Sequence, residues 1–292
     1  MLKLVILIIY FAVLIGIGLY CRKHATDVNG FVLGGRSVGP WLTAFAYGTS
    51  YFSAVVFVGY AGQFGWKYGI AATWAGIGNA IIGSLLAWVV LGRRTRIMSQ
   101  HLDSATMPQY FGKRFGSNPL KIGASVIIFI FLIPYTASLY NGLSRLFGMA
   151  FNIDYSVCII IMATLTAIYV IAGGYMATAI NDFIQGIIML FGIVAVIAAV
   201  IHSKGGFMSA LQGLANVSDP AVSDTPGIFA SFFGPDPFNL LCVVILTSLG
   251  TWGLPQMVQK FYAIDNEASI QKGTVISVSY THLRAHETRR HL

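Results

Sequence analysis

Long apolar runs alternate with short polar connections along this chain. Mostly apolar stretches recur at 4–20, 40–61, 69–92, 122–146, 156–173, 183–202 and 238–258. A helix needs about 20 such residues to cross the roughly 30 Å hydrocarbon core of a bilayer. The pattern therefore predicts seven transmembrane helices. An eighth begins near Gly273 and is cut short. The first run, Leu4 to Tyr20, is too long for a signal-peptide core and lacks a small-x-small cleavage site, so it reads as a retained helix.

The basic residues follow the loops with one bias. If 21–39 lies inside, the inside loops are 21–39, 93–121, 174–182 and 259–272. They hold 11 basic residues: Arg22, Lys23, Arg36, Arg93, Arg94, Arg96, Lys113, Arg114, Lys121, Lys260 and Lys272. The outside segments hold three, Lys3, Lys67 and Lys204. Arg145 falls at an outer helix end, where its long side chain can snorkel to water. This asymmetry predicts a multi-pass protein of a bacterial-type inner (plasma) membrane, N-terminus outside. The one long outside loop, 203–237, carries Pro220, Pro226, Pro235 and Pro237 and reads as a surface excursion with a short interfacial helix.

Composition agrees with a membrane protein and excludes several functions. The chain is 56% hydrophobic and 10% charged, with mean hydropathy +0.74. A soluble domain carries about 25% charged residues. The net charge of +8 follows loop topology and forms no basic patch with aromatic platforms, which argues against nucleic-acid binding. Cys21, Cys158 and Cys242 are far apart and show no metal spacing. No paired carboxylates, HExxH or Ser/His/Asp set occurs in the spans, so an enzyme is not expected. His24 and His101 lie in loops beside basic residues and read as solvated. No ring of pore charges points to a channel.

The last stretch, Ser279 to Leu292, breaks the pattern. Apolar content collapses where a span should continue, and three Arg, three His and a Glu arrive. Residues 1–278 are read as the transmembrane domain. Residues 279–292 are read as a basic tail, non-native or disordered, on a truncated chain.

Two spans carry helix-breaking chemistry. Span two contains Tyr47-Gly48-Thr49-Ser50-Tyr51-Phe52-Ser53, and span seven contains Thr247-Ser248-Leu249-Gly250-Thr251-Trp252-Gly253-Leu254-Pro255-Gln256. Proline cannot donate to the helical ladder. A break is tolerated in lipid only where the freed backbone faces protein or water. The two segments lie five spans apart and run in opposite directions. Such a matched pair is the sequence mark of a secondary transporter's central site. The competing reading is helix packing through small residues. Asp182 is the only acidic residue at the mouth of a span; it suits both a functional carboxylate and an N-cap.

At these residues the chain resembles the sodium:solute symporter family. The matching segments are Phe31-Val32-Leu33-Gly34-Gly35-Arg36-Ser37-Val38-Gly39-Pro40, Met107 to Phe115, Tyr169 to Ala177 leading to Asn181-Asp182-Phe183-Ile184-Gln185, and Pro255-Gln256 with Gln259-Lys260-Phe261. The resemblance implies an all-α leucine-transporter-type fold of two inverted five-helix repeats behind one extra helix. The chain would hold the first repeat and the start of the second. It also implies Na⁺-driven uptake of a small organic solute, with no cofactor beyond Na⁺ and a monomer or weak oligomer. Family positions carried over residue by residue give a partial Na⁺ site at Thr49, Phe52, Ser53 and Asp182. They place substrate at Ser50, Tyr51, Tyr135, Ser248, Thr251, Trp252 and Gln256, and an inner-mouth gate at Arg36. The chain departs from the proline carriers at Tyr51, where they have Asp, and from the sugar carriers at Val55 and Val56, where they have a polar pair. Proline and sugar are thus both disfavoured. The remaining Na⁺ ligands would come from a span beyond this chain, so the fragment is not expected to transport by itself. The alternative is the membrane sensor module of a transporter-like histidine-kinase fusion.

Overall fold

The computed structural model describes residues 2–51 and 62–288, and its regular elements there are helices. In chain order they are α1 Leu2–Cys21, α2 Val28–Leu33, α3 Pro40–Tyr51, α4 Gly62–His101, α5 Met107–Phe115 and α6 Asn118–Phe151. Then follow α7 Tyr155–Ser203, α8 Phe207–Ala215, α9 Pro237–Gly250, α10 Pro255–Ala263 and α11 Glu267–Thr288. Helices occupy all seven predicted spans, the second as far as Tyr51. By length and composition α4, α6 and α7 can cross a membrane, and α9 with α10 passes as a pair bent by 44°.

Local chemistry sets the ends. Asp27, Thr106, Ser117, Asp154 and Asp236 each accept a backbone N–H from the first turn of α2, α5, α6, α7 and α9. These side chains satisfy donors that a helix start leaves orphaned. Proline stands in the first turn of α5, α6, α9 and α10, where its missing N–H costs nothing.

The expected loop at 174–182 is not there. α7 runs 49 residues, about 73 Å at 1.5 Å per residue, and is broken only at Gly174. Gly174 has φ 55° and ψ −148°, a conformation that side chains exclude. A Cβ there would also lie 2.7 Å from the Phe31 carbonyl oxygen. Helix resumes at once, so Tyr175 to Asp182 are helical. On this stretch Tyr175, Ala177, Ala179 and Asn181 are buried. Asp182 is two turns into the helix and is not an N-cap. Helix α11 runs on past Ser279 as far as Thr288.

The molecule is apolar outside and mixed within, as a bilayer requires. The apolar window of α6 contains no buried residue, and Phe129, Phe131, Ile171 and Phe191 are exposed. The interior centres on α4, whose middle turns, Asn79–Leu86 and Trp88–Gly92, are wound as π-helix. Its glycines let neighbours approach. A Cβ on Gly83 would lie 1.9 Å from the Tyr51 hydroxyl, and one on Gly78 would lie 2.3 Å from Val244. Helices α3, α9 and α11 pack against α4 on this side.

Gly83→Ala should therefore force Tyr51 out of its seat and lower stability by about 1–3 kcal/mol. The check is the thermal midpoint in detergent. Gly192→Ala, where a Cβ meets nothing within 4 Å, is the control and should not fall.

Candidate functional site

Span seven breaks between α9 and α10, at Thr251 to Leu254, as the Gly and Pro positions predicted. The end of α9 meets the end of α3 across α4, and Asn79 joins the three. Its Oδ1 accepts from Tyr51 Oη at 2.9 Å, Ser248 Oγ at 2.9 Å and Thr247 Oγ1 at 3.2 Å. Tyr51 Oη also lies 3.2 Å from the Thr247 carbonyl oxygen. Thr251 Oγ1 donates to the Ser248 carbonyl at 3.1 Å, and Trp252 Nε1 donates to the Ile82 carbonyl at 3.0 Å. The unwound turn is thus held by neutral hydrogen bonds on three sides.

Next to this junction lies an aromatic plug. The ring of Tyr47 sits 5.6 Å from Trp88 and 5.5 Å from Phe261, and Trp88 meets Phe261 edge-on at 5.1 Å. Tyr47 donates to the Gly83 carbonyl at 3.0 Å. Ala44, Met257, Ile264 and Ile270 close the same cluster. Tyr47, Trp88 and Phe261 are all fully buried there.

Two arginines latch the end of α10. Arg36 donates to Ser99 Oγ and to the carbonyl oxygens of Tyr262, Ser99 and Ser104 at 2.9–3.2 Å. Arg96 donates to the Ile264 carbonyl at 2.6 Å and the Asp265 carbonyl at 2.9 Å. The Val38 N–H bonds the Ala263 carbonyl at 3.3 Å, and the Asp265 N–H returns to Val38 at 3.0 Å. Burial and the neighbouring Arg96 both lower the Arg36 pKa from its ordinary value, yet a guanidinium remains charged.

A buried ion pair stands beside the latch. Lys260 Nζ lies 3.4 Å from Asp182 Oδ2, with side chains 8% and 24% exposed. The same ammonium sits 5.2 Å from the Tyr175 ring centroid. Near it in sequence, Asn181 and Gln256 bury both amide heavy atoms without a hydrogen-bond partner, as does Tyr175 its hydroxyl.

The structure brings together Tyr51, Ser248, Thr251 and Trp252. Gln256 follows in the first turn of α10. Arg36 and Asp182 lie farther along, at the latch and the ion pair. Thr49 lies in α3, its hydroxyl turned back to the carbonyls of Phe45 and Ala46 at 2.9 and 3.3 Å. Ser50 is half-buried on the same helix. Residues 47–51 of the expected interruption are regular helix; Phe52 and Ser53 lie outside the described residues. Tyr135 is not brought to the cluster, since α6 packs chiefly on α5 and α7. Cavities of about 630 and 540 Å³ lie elsewhere, along the outer apolar faces of α7 and α1. Sequence reasoning missed Asn79, Arg96 and Lys260. Asn79 did carry a signal, being the only amide or ionisable side chain in the third apolar run.

Asn79→Leu should strand the Ser248 hydroxyl, at a cost of about 1–3 kcal/mol, while Tyr51 and Thr247 keep backbone acceptors at Thr247 and Val243. A lowered thermal midpoint, partly restored by Asn79→Ser, is the expected result.

Residues 31–284 match the profile of the sodium:solute symporter family. The osmoregulated proline transporter OpuE of Bacillus subtilis is 30% identical over 275 residues, which is 93% of this chain and 54% of that one. The sodium/proline symporter of Staphylococcus aureus strain NCTC 8325 is 31% identical over 290 residues, 94% of this chain and 52% of that one. The chain spans about half the length of these curated relatives. By name they are carriers rather than enzymes. A solved Na⁺-coupled sialic acid symporter, in a substrate-bound outward-open state, superimposes with a TM-score of 0.73 over 99% of this chain and 61% of its own. At 16% identity that likeness speaks for the fold alone, which is the leucine-transporter type. On this match, and with the long apolar helices and the bent span seven beside it, the chain is a multi-pass membrane protein belonging to the sodium:solute symporter family.

Proposed function

We propose that this chain is the substrate- and ion-binding N-terminal part of a Na⁺-coupled symporter for a small organic solute. Its N-terminus faces outside and its arginine latch faces the cytoplasm. The observation that carries the reading is the broken span seven held against α3 through Asn79. A helix opened in lipid leaves carbonyl and hydroxyl oxygens that can replace the hydration shell of Na⁺. The ion would use the end of span two, at Thr49, Phe52 and Ser53, with Asp182 as a second, charged position. Only oxygen donors are involved, which suits a hard cation. Solute would contact Ser50, Tyr51, Ser248, Thr251, Trp252 and Gln256; Tyr135 would join only if α6 moved inward.

Tyr51 bears on the solute. Where the proline carriers have a carboxylate, this chain has a phenol already bonded to Asn79 and to the Thr247 carbonyl. The site there is neutral. Proline is therefore disfavoured although the similar relatives are named for it, and the preferred solute is one that does not require a carboxylate at that point.

Coupling follows from shared elements. Na⁺ that orders the end of span two favours solute held by span seven, and solute tightens Na⁺ by the same factor. The membrane potential adds about 2.3 kcal/mol per charge per 100 mV. Release to the cytoplasm requires α10 to leave the aromatic plug and the arginine latch.

Two measurements test this. Labelled-solute uptake by the carrier should disappear when Na⁺ is replaced by choline; unchanged accumulation would sink the coupling. Arg36→Ala removes four hydrogen bonds at the latch. It should raise maleimide labelling of a cysteine placed at Ser104 severalfold from the cytoplasmic side; unaltered labelling would remove Arg36 from the gate.

A further inference from the structure

We infer that Lys260 is a tethered cation that fills the Asp182 position when Na⁺ is absent, and that Na⁺ must displace it. The inference rests on the reading of Asp182 as an ion-binding residue and assigns the competitor for it.

The geometry of the pair is that of an exchangeable contact. A charge-assisted N–H···O bond is usually about 2.7–2.9 Å. Here the single contact is 3.4 Å and involves one carboxylate oxygen. In that same position the ammonium also lies over the Tyr175 ring, 5.2 Å from its centroid. A cation within about 6 Å of a ring centroid is attracted to its face. It can therefore shift between carboxylate and ring without entering lipid.

The surroundings supply oxygen donors that nothing in the described protein uses. Asn181 precedes Asp182 and Gln256 lies one turn before Lys260 on α10; the amide oxygens of both are buried and unpartnered. The Tyr175 hydroxyl is unpartnered as well. The titratable groups that face Asp182 are Tyr10 on α1, Tyr169 and Tyr175 on α7, and Lys260 on α10. Lys260 is the only cation among them, so it supplies the local neutralising charge.

A second positive charge cannot join this pair cheaply in a low-dielectric interior. Sodium on Asp182 therefore drives the ammonium toward Tyr175. Lys260 belongs to α10, the half-helix that the latch holds, while Asp182 belongs to α7. The exchange thus removes a tie between the two, so ion occupancy reports directly to the inner gate. A fixed structural salt bridge would have no such effect.

The test is ²²Na⁺ binding to the purified full-length carrier in lipid nanodiscs. Lys260→Met removes the competitor and should tighten Na⁺ by about tenfold, within the coupling range of close charge pairs. Lys260→Arg keeps the fold and offers a stronger, forked donor, so it should weaken Na⁺ severalfold. A second readout is the ¹⁵Nζ resonance of Lys260, assigned by its loss in Lys260→Met. It should shift with NaCl and not with choline chloride. Weaker Na⁺ binding in both Lys260 variants, or an immobile resonance, overturns the inference while leaving Asp182 as a ligand. Sodium binding unaffected by Asp182→Asn, or absent from the unsubstituted carrier, overturns the ion-site reading itself and this inference with it.

Discussion

A helix that breaks inside hydrocarbon must find partners for the carbonyls it frees, and this structure depends on how span seven does so. At the end of α9, Thr247 O faces the Tyr51 hydroxyl, Ser248 O accepts from Thr251 and Leu249 O from the Trp252 N–H. At the end of α10 the four consecutive carbonyls of Tyr262, Ala263, Ile264 and Asp265 accept from Arg36, Val38 and Arg96. At Ser248 and Leu249 the donor belongs to the turn itself; at Thr247 and from Tyr262 to Asp265 it comes from a distant part of the chain. Buried carbonyls left without water or protein would cost several kcal/mol apiece. The break thus binds α2, α3 and α4 to itself, and any movement of α10 must exchange all of these partners together. That is the character of a two-state element rather than a flexible one.

The donors differ in kind, and the difference divides the labour. Around Asn79 they are hydroxyls and an indole, neutral groups that fix geometry without committing the site to a charged guest. At the latch they are guanidinium groups on neutral carbonyls, strong enough to hold and free of the desolvation cost of a second buried ion. Among the described residues, formal charges of opposite sign meet inside at Asp182 and Lys260. The exposed Arg93–Glu267 pair, at 72% and 50% exposure, lies in water and adds little.

Much of the fold was legible because the bilayer imposes it. Run length gave the seven helices, and local chemistry gave their ends: Pro255 behind Gly250 and Gly253 marks the break in span seven, and Ser117 or Asp236 before a proline marks a start. The error at 174–182 has a physical cause. A stretch with Tyr, Thr, Asn and Asp looks like a loop when polarity is read as exposure to water. In a membrane protein the polar side faces inward, so the helix continues and only Gly174 bends.

The sequence by itself determined that this chain belongs in a membrane, where its apolar helices fall, where span seven opens and to which family it is similar. These depend on composition and on neighbours within one or two turns. Only the tertiary structure decided that Tyr51, Ser248 and Thr247 share Asn79, that Arg36 and Arg96 close on the end of α10, and that Lys260, counted among the basic loop residues, lies inside against Asp182. Those partners are separated by 28 to 226 residues. No local pattern encodes such distances; they arise when apolar stripes and glycine contacts pack the helices and leave each buried polar group to find its complement.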